Sequence, residues 1–404
     1  MSEAQRPLQG IRVIDFGQTM AGPLLSCMLA DMGAEVIKVE TRKRPDSLRL
    51  SPDNLERDVE RDPWFHSANR NKLGITVDFS HAEGVELLKR LVAVSDIVVE
   101  NFSPDVMAKR GLDYATLRLV NPALVMISLP AAGQTGPLAD LVTYGPSLTC
   151  FSGVDSMVGY PGERVLGLQQ AYADANGAIM GAIAVMAALR HRQKTGVGQY
   201  IEMAQFEATV ATLGEALLGY FMNGVVAETM GNRHASMAPH GNYRCEGEDS
   251  WVSIAVSGDH EWRQFCKAIG NPAWTEEPIF ADSYQRLQHR NGLDQRVTEW
   301  TQQHSSYEVM QLLQEVGVAA MPCVSTEERF LDPHITERRV YLDYEHPVTG
   351  VDWISNLPFR FSSSPCDIRR PSPQMGEHNE YVCVDLLGMT REDVAQLTER
   401  GVLN

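Results

Sequence analysis

The sequence has no closely spaced cysteines, no long apolar run and a shortage of positive charge. Each absence removes a class of protein. Seven cysteines are scattered through 404 residues, and the nearest two, Cys366 and Cys383, stand 17 positions apart. Neither a CxxC redox motif nor a zinc ribbon can be built on that spacing, so reduced, dispersed thiols are expected. The longest apolar stretch, Ala178–Leu189, has twelve residues including a glycine, well short of the ~20 that span a bilayer. The opening residues, Met1 to Pro7, show no basic segment followed by an apolar one, so no signal peptide is expected. Lys and Arg number 35 against 52 Asp and Glu, a net charge of −17. A general nucleic-acid binder needs a basic face and is excluded. Any polyanionic ligand must be held by a few placed cations. These readings together predict a cytoplasmic protein with no membrane or nucleic-acid partner.

What is present is an ordinary globular composition, 44% hydrophobic, enough for two or three domains at roughly 100–200 residues each. The first 130 residues alternate short apolar runs with helical patterns. Strands are expected at Gly10–Phe16, Glu35–Glu40, Gly74–Phe79, Asp96–Asn101 and Leu124–Leu129. Helices are expected at Leu24–Met32, His81–Val94, Pro104–Arg110 and Tyr114–Leu119. Strands separated by helices predict an α/β fold with a doubly wound, Rossmann-like parallel sheet. Further on, helices are expected at Ile179–Arg192 and across Ile201–Met222, and hairpins at Tyr341–Pro365. The expected division is a large domain over 1–224, a smaller α+β domain over 225–330, and a segment over 331–404 returning to the first sheet.

Standard catalytic signatures are missing. The loop after the first strand, Gly17 to Pro23, gives G-x-x-x-x-G-P and not the dinucleotide fingerprint, and Pro23 removes a helix N–H that would face a pyrophosphate. No G-x-x-x-x-G-K-[ST], G-x-S-x-G or H-E-x-x-H occurs. Of eleven dispersed histidines, His234 and His240 share a loop without nearby cysteines, which favours solvated polarity over a metal site; no metal is expected. Asn69-Arg70-Asn71-Lys72 precedes one strand and Glu100-Asn101-Phe102 ends another. These segments suit a phosphate-bearing nucleotide, and a solvated basic turn suits them equally. Asp174 stands immediately before a Gly/Ala-rich helix, where an aspartate is most often an N-cap.

The same segments, in this order and spacing, resemble the class III CoA-transferases, a family related to the α-methylacyl-CoA racemases. The resemblance runs from Pro7–Asp15 through Ala21-Gly22-Pro23, Leu29–Glu40, Asn69–Lys72, Glu100-Asn101-Phe102 and Arg192–Gln199 to Ala238–Gly241. It implies an interlocked dimer, or a heteromer with a homologous subunit, acting on acyl-CoA and carboxylic acid substrates with coenzyme A as co-substrate. It places the nucleophile at Asp174. CoA is expected on Met20, Ala21, Arg42, Arg70, Asn71, Lys72, Asn101, Phe102 and Lys109, and the acyl group against Gln18, Tyr144, His240 and Gly241. Tyr144 occupies the position where the racemase branch carries a histidine, and a phenol of pKa ~10 is a poor base at neutral pH. The transferase reading is therefore preferred to a racemase. A non-catalytic, CoA-binding subunit of a heteromer is the other alternative, against which Asp174 argues. Thr143–Ser147 and Gly159–Arg164 resemble the branch acting on benzylsuccinate and related succinates, with succinyl-CoA as donor.

Overall fold

The computed structural model of the chain describes residues 5–54 and 56–404, so the reading made on Met1 to Ala4 lies outside the described residues. Two compact units are found. The first joins residues up to Asp155 with Gly167–Val226 and Arg338–Asn404; the second takes Ser156–Leu166 and Ala227–Glu337. The excursion Ser156–Leu166 was not visible in the sequence. It is tied to the second unit by the bond from the Gly231 N–H to the Gly159 carbonyl.

The first unit is built on six parallel strands: β1 (Arg12–Asp15), β2 (Glu35–Glu40), β3 (Lys72–Thr76), β4 (Ile97–Glu100), β5 (Val125–Ser128) and β6 (Tyr200–Glu202). Their order is β3-β2-β1-β4-β5-β6. The chain therefore leaves β1 in one direction and returns at β4 on its other side, which makes a topological switch point between those two strands. Alternate side chains explain why both faces are covered. Ile14, Ile37, Ile75, Val98 and Met126 join one buried cluster with the helices Ala82–Ala93 and Tyr114–Val120. Val13, Val36, Ile97, Val99, Val125 and Ile127 join the opposite one with the helices Ala21–Asp31 and Tyr172–Thr195. A strand buried on both faces reads as a continuous apolar run, as these do.

The sequence reading missed β6. It placed a helix across Ile201–Met222, whereas the chain forms three strand residues, then helices Gln205–Val210 and Gly214–Asn223. Only one hairpin, β10 (Tyr341–His346) with β11 (Gly350–Ser355), forms in the region expected to hold several. The C-terminal segment covers the β3 edge: the Thr76 N–H donates to Asn379 Oδ1 and the Asp78 N–H to the Val402 carbonyl. In the second unit, β7 (His240–Arg244), β8 (Trp251–Ala255) and β9 (Ala319–Cys323) form an antiparallel sheet over its own aromatic core, which includes Trp262, Phe265 and Phe280.

The helix Tyr172–Thr195 has 24 residues and is the one described helix long and apolar enough to cross a membrane by length and composition. Its small residues, Ala173, Gly177, Ala178, Gly181, Val185 and Ala188, are buried. Ile179, Met180, Ile183 and Met186 stay exposed, so the helix is apolar on both faces.

Candidate active site

Everything that points to chemistry gathers where β1 and β4 end. The loop after β1 is fastened to the loop after β4 by one side chain. Asn101 Oδ1 accepts from the Gln18 N–H at 2.8 Å, and its Nδ2 donates to the Gln18 carbonyl at 2.8 Å. Thr19 is held at φ 64°, a left-handed conformation that strains a β-branched residue. Its N–H donates to Asp46 Oδ1. Beneath this loop lies a lattice of buried charge. Lys38 Nζ donates to the Gly17 carbonyl and to Asp46; Lys72 Nζ donates to Asp15, to the Pro23 carbonyl and to Asn69.

The helix Tyr172–Thr195 starts two residues before Asp174, so this aspartate lies in the first turn and does not cap the helix; Ala171 occupies that position without a side-chain bond. Its carboxylate accepts the backbone N–H of Ala21, the first residue of the helix after β1, and that of Asp174 itself. Gly145, which opens the helix Gly145–Ser152, packs directly on it: a Cβ there would stand 1.9 Å from Asp174 Oδ2. Three helix N-termini thus meet at one carboxylate, each favouring negative charge. Burial acts against them and dominates. The Asp174 carboxyl is pushed up to about 6, only partly offset by those two N–H groups, and among the described residues no cation pairs with it.

A cavity of about 150 Å³ opens on Asp174, lined also by Thr19, Asn101, Phe102, Tyr144, Gly145 and Gln205. A second cavity, about 440 Å³, is lined by Gln18, Thr41, Lys43, Arg44, Asp78, Phe79 and Arg110. Phe102 and Ser103 line both, so the two spaces adjoin. Lys43 is paired with Asp78 at 2.7 Å. Burial raises the Asp78 carboxyl, but bonds from Lys43 and Ser80 outweigh it and hold it at about 2. Arg44 and Arg110 have no acid partner among the described residues. Glu100, at the end of β4, is pushed up to about 7 by burial, although Ser128 and the Phe102 N–H bond to it.

The expected residues therefore divide. Gln18, Ala21, Asn101, Phe102, Tyr144 and Asp174 come together at the switch point, with Met20 next to Ala21 at the helix start. Arg70, Asn71 and Lys72 do not. Lys72 is fully buried in its bond to Asp15, and Arg70 and Asn71 are tied to Asp31 at the far end of the helix Ala21–Asp31. Their reading as phosphate ligands is corrected: their side chains are held in buried bonds and line neither cavity. Arg42 turns its guanidinium to the Met375 carbonyl, and Lys109 is exposed outside the cavity that its neighbour Arg110 lines. Arg44 and Arg110, which the sequence did not single out, line the larger cavity and follow β2 and β4, where ligands of open α/β sheets collect. His240 and Gly241 belong to the second unit, on β7, where His240 Nδ1 bonds the Asn232 carbonyl.

One set of clustered ligand-type side chains exists among the described residues, His66, His346 and Asp352. His66 Nδ1 bonds Asp352 and its Nε2 the Glu60 carbonyl; His346 Nδ1 accepts the Val348 and Thr349 N–H groups. The rings stack 4.1 Å apart. Both His66 nitrogens and His346 Nδ1 are taken up by these bonds, so the cluster is a structural tie.

Fold and cleft define a doubly wound α/β enzyme with an uncompensated carboxylate at its switch point, beside a groove lined by free arginines. The chain belongs to CoA-transferase family III, whose sequence pattern matches residues 8–379. It is similar to the succinyl-CoA–D-citramalate CoA-transferase of Chloroflexus aurantiacus, with 32% identity over 98% of each chain. It is also similar to the succinate–glutarate CoA-transferase of Agrobacterium fabrum, with 33% identity over 96% of this chain and 97% of that one. A CaiB/BaiF family protein of Brucella suis shares the fold with a TM-score of 0.86 and 31% identity, covering 95% of this chain and all of that one. The protein is a class III CoA-transferase with CoA as co-substrate.

Proposed function

We propose that this enzyme moves CoA from succinyl-CoA to a short aliphatic dicarboxylic acid, with Asp174 as the covalent nucleophile. The observation that carries the reading is a carboxylate held at a cavity wall by backbone N–H groups alone and pushed up to about 6 by burial. It is ionised at pH 7, yet poorly solvated and so more nucleophilic than a carboxylate in water.

Asp174 attacks the thioester carbonyl and the C–S bond breaks, giving an aspartyl–succinyl anhydride and CoA thiolate. The thiolate attacks the aspartyl carbonyl, releasing succinate and leaving an aspartyl-CoA thioester. The acceptor carboxylate attacks that thioester, forming a second anhydride and freeing the thiolate again. Attack of the thiolate on the acceptor's carbonyl yields the new acyl-CoA and restores Asp174. Proximity supplies much of the rate, and the Ala21 N–H is placed to stabilise oxyanion charge at the aspartyl carbonyl.

In this reading the CoA phosphates lie in the larger cavity against Arg44, Arg110 and Lys43, with Phe102 between nucleotide and acyl spaces. The acceptor is assigned on relationship. The relatives are named for D-citramalate, glutarate and, in Chloroflexus aurantiacus, L-malate; none of these three names supports the benzylsuccinate expectation. The enzyme is read as cytoplasmic. The exposed apolar faces of the helices Tyr172–Thr195 and Gly214–Asn223, where Phe221 and Met222 are each 76% exposed, favour the interlocked dimer expected from the resemblance.

A screen of carboxylic acids with succinyl-CoA, read by mass spectrometry of the CoA esters, tests the assignment. New esters of four- to six-carbon dicarboxylates support it. Esters of aryl succinates alone, or exchange of the α-proton of a 2-methylacyl-CoA in deuterated water at the rate of transfer, would overturn it.

A further inference from the structure

Glu100 ends β4 and is 2% exposed. A buried carboxyl is costly unless a cation meets it, and among the described residues none pairs with this one. An apolar side chain of similar volume would fill the space without that cost. What the carboxyl supplies instead is bonding. Its Oε2 accepts the Phe102 N–H at 2.8 Å, and Ser128, its partner across the ladder on β5, bonds the same group. Among the described residues no backbone carbonyl takes the Phe102 N–H, so the Glu100 side chain is what satisfies it. The neighbouring Asn101 is locked by its two bonds to Gln18. Phe102 itself packs on the buried cluster that contains Phe16 and Met107, and it lines both cavities.

We propose that Glu100 is a positioning residue for CoA: its carboxylate oxygen fixes the Phe102 backbone, and so sets the aromatic side chain that bound CoA passes between the two cavities. This deepens the transferase reading above and rests on its placement of CoA beside Phe102. The role needs a hydrogen-bond acceptor at that point and not a charge. An amide oxygen on a side chain of the same length can therefore replace the carboxylate, whereas a thioether of that length cannot.

The test measures the affinity for CoA by calorimetry, with the melting temperature recorded for every variant. Glu100→Met should weaken CoA binding by at least about tenfold, the scale of one buried hydrogen bond. Glu100→Gln should stay within about threefold of the wild type. Glu100→Ala, whose vacated space admits a water to the freed N–H, gives the same reading if Glu100→Met does not fold. Phe102→Ala removes the ring and leaves the N–H. If Glu100 acts through that ring, the Glu100 substitution should cost less than about twofold more in the Phe102→Ala background, which a general loosening of the fold would not produce. Wild-type affinity in both Glu100→Met and Glu100→Ala would overturn the proposal. So would losses that add in the double variant, or a loss in Glu100→Gln equal to that in Glu100→Met, which would assign the effect to charge. Those results, with Phe102→Ala impaired, would leave the placement of CoA intact. Wild-type affinity in Phe102→Ala would overturn that placement together with the proposal.

Discussion

Two aspartates stand at opposite ends of one short loop and have opposite fates. Asp15 ends β1, fully buried; burial pushes its carboxyl up, but Lys72 and Lys38, with bonds from Ser26 and the Gly17 N–H, bring it below the usual range. Asp174 reaches the helix start on the other side of that loop, where only N–H groups meet it, and it ends at about 6. The same side chain is a structural anchor where cations repay its desolvation, and where they do not it is left buried and unpaired, as the proposed nucleophile requires. Both lie within a few residues of one loop, which Asp15 helps to fasten through the Gly17 N–H.

Removing the reactive carboxylate should have the largest effect. Asp174→Asn should lower turnover by about 10⁴-fold or more, as loss of a covalent nucleophile does, while CoA binding persists. It should also stabilise the protein. A folded pKa near 6 against the ordinary 3.8 means the charged form is penalised in the folded state. That penalty is absent below the unfolded pKa and complete above about pH 6. The asparagine variant should therefore gain ~1–3 kcal/mol in urea denaturation at pH 8 and gain little at pH 4. A variant less stable at pH 8 would show that Asp174 is compensated after all.

Breaking the other member of the pair should act on stability instead. Lys72→Ala leaves Asp15 charged and buried, at ~3–5 kcal/mol, and the folded fraction should bind CoA with unchanged affinity in calorimetry. Weakened CoA binding at unchanged stability would return Lys72 to the nucleotide site. Gly145→Ala sits between these extremes. Its methyl group displaces the Asp174 carboxylate, so kcat should fall ~10²-fold with KM for succinyl-CoA little changed and the melting temperature within a few degrees. The smallest effect is on pH. The proposed attack needs the ionised carboxylate, so kcat/KM should fall as pH drops through about 6; a limb near 4 would mean an ordinary, solvated aspartate.

Much of the sheet was legible because strands buried on both faces announce themselves as apolar runs between helical patterns. β6 was not, since three residues, Tyr200–Glu202, are too few to separate period 2 from period 3.6 ahead of a helix. The start of the Asp174 helix was placed late because Asp174, Asn176 and Gly177 are weak helix formers, and packing of its small face decided the matter. The cations were misassigned for a different reason. Lys72 bonds an aspartate 57 positions away, and no local pattern distinguishes a buried partner from a phosphate ligand. Position along the strand could have done so: Asn69–Asn71 precede β3 and Lys72 begins it, whereas Arg44 and Arg110 follow the ends of β2 and β4.

Asp174 is proposed to carry the acyl and CoA groups in turn. Incubation with succinyl-CoA and hydroxylamine, without acceptor acid, followed by peptide mapping, tests this directly. A hydroxamate on Asp174 alone is expected, with loss of activity in step with its formation. Inactivation with the label on another residue, or full turnover with no covalent label on the protein, would contradict it.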